Sequence, residues 1–111
     1  MNKYTELSDF EINKKVAEKL GAEWFVTTTV WDELVVMVGS KCFKPCNNPS
    51  DAMPIIIENL ISLMSDMSED RESTWWCASD ISNGITSRYK SNPYRAAMEV
   101  FLMIKDAENE S

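Results

Sequence analysis

Three cysteines and a run of carboxylates are the side chains here best suited to hold an ion or move a proton. Cys42 and Cys46 stand as Cys-x-x-x-Cys, half of a zinc site; Cys77 supplies a third ligand, and a fourth would have to be Asp51, Asp80 or another carboxylate. Small apolar cysteines, one near a strand end and one inside another strand, are the simpler reading, so no metal is assigned. Asp66, Glu69, Asp70 and Glu72 crowd one connection, but paired acids do catalysis only when burial or repulsion separates their pKa values. Met67 is the one apolar residue available to bury them, and no EF-hand spacing is present, so the segment reads as a solvated loop. Histidine is absent, which removes the commonest general base and metal ligand together. The three glycines, Gly21, Gly39 and Gly84, are too far apart for a phosphate loop. No catalytic residue and no cofactor are expected, and the chain reads as a non-enzyme.

Anion binding has better ingredients. "NNPSDA" at residues 47–52 returns as "SNPYRA" at residues 91–96, and in each the Asn-Pro pair suits a helix start: Asn48 and Asn92 as N-caps, Pro49 and Pro93 at the first helical position. Helix starts offer free amides and partial positive charge. Asn48, Ser50, Asn92, Arg88 and Arg95 are therefore candidate anion-binding residues, and Trp31, Trp75, Trp76 or Tyr94 could add a stacking ring for a nucleotide. Capping alone explains both motifs.

These residues need elements to position them. In "LSDFEINKKVAEKLG", Ser8 and Glu11 form a capping box, Leu7 and Ile12 a hydrophobic staple, and Ile12, Val16 and Leu20 a core-facing stripe, with Asn13 and the charged residues toward water; Gly21 ends the helix. "EWFVTTTVWDELVVMVGSKCF" is β-branched and aromatic, predicting two strands that meet near Trp31 to Glu33, in the body of a sheet. A helix opens at Asn48, with Pro54 close enough to its start to be tolerated. "LISLMSD" and "TWWCASD" follow as strands joined by "MSEDRES", and Asn83-Gly84 signals a tight turn whose second arm would be residues 85–89. The last helix opens at Asn92 and is apolar nearly all round. Either it lies in the middle of the fold, or Leu102 and Met103 project and are covered by another subunit or protein. The adjacent Trp75 and Trp76 point to opposite faces of their strand, so an exposed one would mark a binding surface. The order α-β-β-α-β-β-α predicts an α+β domain with a central antiparallel sheet of about four strands and three helices packed on it.

With 111 residues and 44% hydrophobic content, a single domain over residues 1–111 is expected, with residues 7–105 as the ordered core and residues 106–111 as a flexible tail. A formal net charge of −7 disfavours direct contact with nucleic acid, though a basic protein partner is allowed. The polar start and the odd cysteine count predict reduced thiols in a cytoplasm, and no apolar run is long enough to insert in a membrane.

"LSDFEINKKVAEKLG", "FKPCNNPSDAMPIIIEN" and "NPYRAAMEVFLMIKD", in that order over residues 7–105, resemble the phage NinX family and are similar to phage ABA-sandwich domains, in which helices cover both sides of a sheet. The resemblance implies an accessory protein expressed in the cytoplasm of an infected bacterium, with no known cofactor. Combined with the residue reading, it leads to an expectation of protein–protein binding through Leu102, Met103, Trp75 and Trp76, to a second copy as a homodimer and to a host or phage protein. The alternative is a protein that sequesters a small anionic ligand or nucleotide signal in phage counter-defence.

Overall fold

The computed structural model describes residues 3–80, 82, 84–87 and 90–109. Arg88, Asn83 and Tyr89 lie outside the described residues, and with them the Arg88 anion call, half of the Asn83-Gly84 turn signal and the end of the arm expected at residues 85–89.

Local chemistry sets the first half of the chain. Helix α1 (Asp9–Lys19) starts at Ser8, whose hydroxyl accepts from the Glu11 amide at 3.1 Å and lies 3.2 Å from the Glu11 carboxylate. It stops where Gly21 takes a positive φ. Strands β1 (Trp24–Thr28) and β2 (Leu34–Val38) pair antiparallel in the register Val26 to Val36. Residues 29–33 join them: the Thr29 amide closes the connection by donating to the Glu33 carbonyl, and Asp32 takes the left-handed position at φ 59, which a short polar side chain tolerates. The chain then turns at Gly39 and lays β3 (Lys41–Cys42) against the other edge of β2.

Helix α2 (Pro49–Glu58) is capped by Asn48 and carries Pro54. Strands β4 (Ile61–Met67) and β5 (Thr74–Asp80) pair over their full length, and β6 (Ile85–Thr86) adds to the far edge of β5. Helix α3 (Pro93–Asn109) closes the fold. Nine elements thus give an α+β architecture with two three-stranded antiparallel sheets, β1-β2-β3 and β4-β5-β6. The expected single sheet of about four strands is corrected: the two hairpins do not pair with each other among the described residues, and each instead gains a two-residue strand, β3 beside β2 and β6 beside β5.

The core is organised around a helix. Of the residues in α3, Ala96, Ala97, Met98, Val100, Phe101, Leu102 and Ile104 are all buried, packed with Ile12 and Val16 from α1, Ile55 and Ile56 from α2, and Ile61 and Ala78 from the second sheet. That placement explains a helix apolar nearly all round. It also corrects the surface reading of Leu102, which has 0% of its area exposed within a single chain; Met103 is half-buried and packs on the same cluster. Sheet β1-β2-β3 meets the rest of the molecule mainly through α1. The outcome is a plate of 43 × 39 × 23 Å, with a radius of gyration of 14.5 Å, against about 13 Å for a compact chain of this length.

Candidate functional site

The densest polar chemistry is interior. Arg95, in the first turn of α3, donates through Nη1 to Asp9 at 2.6 Å, through Nε to Glu99 at 2.7 Å, and through Nη2 to the carbonyls of Tyr4 at 2.9 Å and Leu7 at 2.7 Å. Glu99 is fully buried, and its carboxylate also meets Lys90 Nζ at 3.4 Å and the Thr5 hydroxyl at 3.3 Å. Burial alone would lower the Arg95 pKa, but the carboxylates of Asp9 and Glu99 outweigh it, so the net shift is upward and the guanidinium stays charged. Asp9, Glu99, Arg95 and Lys90 form a charge-balanced quartet that ties the N-terminal turn and α1 to α3.

Beside it, the backbone of Cys46 is held from two sides: its N–H donates to Asn13 Oδ1 at 3.0 Å, and its carbonyl accepts from Asn92 Nδ2 at 2.6 Å. The Cys46 thiol is pushed up to about 12, first by burial and then by the nearby Asp9 charge, so it remains a protonated thiol. Helical spacing puts Asn13 toward solvent; the structure buries it, because an asparagine at this point of α1 can satisfy an interior amide. No sequence signal marks that partner, which lies 33 residues away.

The two helix starts do come together, through Asn92 and the segment leading into α2. Several of their polar groups are committed within the chain. Asn48 Oδ1 accepts from the Ser50 amide, Asn92 Oδ1 accepts from Tyr94, and Arg95 turns inward to the quartet. Of the residues expected to bind an anion, Arg95 is committed to the interior tie, and Asn48 and Asn92 serve as helix caps through their side-chain oxygens.

Among the described residues, the three cysteines are separated, Cys42 on the surface and Cys46 and Cys77 buried, and no three metal-ligating side chains converge. In the acidic connection, Asp70 accepts from the Ser68 hydroxyl and the Glu72 amide, and the Ser68 bond leads in holding its carboxyl below the usual range. That is turn chemistry on the surface. Trp75 and Trp76 lie on opposite faces of β5 as alternation requires; both are half-buried, and Trp76 bridges to the backbone of Lys90.

Three features face outward. A cleft of about 340 Å³ between α1 and β2 is lined by Asp9, Asn13, Glu33 and Lys44 together with apolar β2 side chains. A broader groove of about 600 Å³ between α2 and β4 is lined by Met53, Ile56, Ile57, Leu60, Ile61 and Leu63, with Ser62 as its one polar member. Ile57 and Leu60 are 65% and 75% exposed, and Leu60 holds φ at 54°, a conformation that costs a leucine about 1–2 kcal/mol relative to ordinary backbone. The third is the tip of the β1–β2 hairpin, where Val30 and Trp31 are 91% and 85% exposed.

A family model described as Bacteriophage P22, NinX matches residues 3–105. The chain belongs to the phage NinX family. The match begins at the turn whose carbonyls wrap Arg95 and runs into the last turns of α3, so it takes in the quartet, the groove and the hairpin together. Family membership makes this a bacteriophage accessory protein. No curated protein and no solved structure matches the chain.

Proposed function

We propose that this phage accessory protein is not an enzyme and acts by binding another protein, of host or phage origin, through the groove between α2 and β4. One observation carries the reading: Leu60 combines backbone strain with an apolar side chain left in water, beside Ile57, Met53 and Leu63. Glycine would relieve the strain and asparagine would ease both, so a leucine there costs the isolated chain stability. Such a cost fits a contact made with something else. The partner suited to it presents an apolar ridge, such as one face of an amphipathic helix, flanked by basic residues that complement a chain of net charge −7. The inward commitment of Arg95 and the caps weighs against the anionic-ligand reading.

Leu60→Gly separates binding from folding. It should stabilise the chain by about 1 kcal/mol by relieving the left-handed leucine. Capture from infected cells, performed with wild type and variant side by side, should show a partner retained by the first and lost by the second. A partner held equally by both would remove the groove from the account, and a destabilised variant would remove the strain argument.

A further inference from the structure

We infer that β1 is the pairing edge for a second copy of this chain, giving a two-fold dimer with one continuous six-stranded sheet. The inference is independent of the α2–β4 groove, which belongs to the other half of the molecule.

Four strands lie at sheet edges: β1, β3, β4 and β6. Exposed edges invite pairing, and proteins blunt them by shortness, charge, proline or cover. β3 and β6 are two residues each, and β4 carries Asp66 and packs against α2. β1 has none of these devices. Its sequence is Trp-Phe-Val-Thr-Thr, and residues 24–31 hold no charge in a chain that is 26% charged. No backbone bond from its outer edge is made within the described residues.

Parity fixes the register. Thr29 donates to Glu33, so Thr29, and with it Thr27 and Phe25, turn their backbone groups toward β2. Trp24, Val26 and Thr28 consequently turn theirs outward. A two-fold axis at Val26 lets Val26 exchange both bonds with its own copy, and Trp24 exchange them with Thr28 of that copy. Phe25 then opposes Thr27. Every cross-copy pair is aromatic or β-branched, and no like charges meet, so the edge is complementary to itself. The same operation carries the hairpin tip toward residues 20–22 of the second copy, where Leu20 is partly exposed and Gly21 leaves room for the Trp31 ring. The pairing would also shelter apolar side chains left in water in one copy, since Phe25, Val30 and Trp31 are 53%, 91% and 85% exposed.

The test is sedimentation equilibrium on the full chain at about 100 µM. Wild type should be dimeric. Val26→Pro deletes an amide that bonds to nothing among the described residues of one copy, so the monomer should keep its circular dichroism and thermal midpoint. Its dimer should weaken by about 100-fold, the value of two lost backbone bonds. Val26→Cys in a Cys42→Ser background should cross-link into a covalent dimer on mild oxidation, because the two-fold axis sets the residue opposite itself at about 5.5 Å between Cα atoms. A monomeric wild type, a dimer indifferent to Val26→Pro, or a Val26→Cys chain that stays uncross-linked would each overturn the inference. Leu60→Gly should leave the dimer intact, so this experiment and the capture experiment fail separately.

Discussion

Sheets β1-β2-β3 and β4-β5-β6 have the same strand count and the same hairpin logic, yet they sit in opposite environments. The second lies against α3, and its central strand buries Cys77, Ala78 and Asp80. The first is held mainly by α1, and β1 keeps four of its five residues exposed. The difference lies in what covers them. The 17-residue α3, apolar nearly all round, serves one sheet and two helices, and the remaining hairpin leans mainly on α1. The half around α3 carries the core and leaves its exposed apolar side chains in the α2–β4 groove, whereas the first sheet leaves a whole strand, β1, largely uncovered.

The comparison breaks most readily at α3. Leu102→Ala should destabilise the chain by about 2–5 kcal/mol through the cavity it opens, and Glu99→Ala by about 3–5 kcal/mol, because Arg95 and Lys90 would be left without their shared buried carboxylate. Denaturant titration measures both. A loss under about 1 kcal/mol for either would mean that the centre of the fold is not where the stability resides.

Alkaline titration sharpens the picture on a second scale. Cys46 ionises at about 12 in the folded chain against 9.0 for the ordinary thiol, so above pH 9 the unfolded chain releases its proton while the folded chain keeps it. Stability contributed by this group is whole below pH 9 and should fall by about 1.4 kcal/mol per pH unit as the pH rises toward the folded value. Burial, with Asp106 as hydrogen-bond partner, raises the Tyr4 phenol as well, which adds to the loss above pH 10. Cys46→Ala should flatten the limb in pH-dependent urea unfolding, and Tyr4→Phe should flatten its upper part. A limb unchanged by Cys46→Ala would place the thiol in contact with water.

At the hairpin tip the expected effect is smallest. Trp31→Ser, examined at low micromolar concentration, should shift the unfolding free energy by no more than about 0.5 kcal/mol, since the side chain is 85% exposed. A loss of 2 kcal/mol would assign the tip to the folded core and cancel the contrast between the sheets.

The elements were legible in the sequence wherever the signal was local. Ser8 with Glu11, Asn48 with Pro49, Asn92 with Pro93, and the alternation around the β1–β2 turn all act within a few residues, and each appears where the chemistry predicted. The family, too, was readable, because three ordered segments carry it. The site was less legible. Asn13, Arg95 and Glu99 look like surface residues in a helical projection, and only partners 33 to 94 residues away turn them inward.

Sequence alone determined the caps, the turns, the strand pairs closed by short loops, and the apolar circumference of the last helix, since all of these depend on neighbours in the chain. Tertiary structure alone decided that this helix sits at the centre, that the strands divide into two sheets, and that Leu60, Trp31 and β1 remain outside. Burial is a competition among distant segments for a limited number of covered faces, and the winner is set by three-dimensional packing, which residue spacing does not encode.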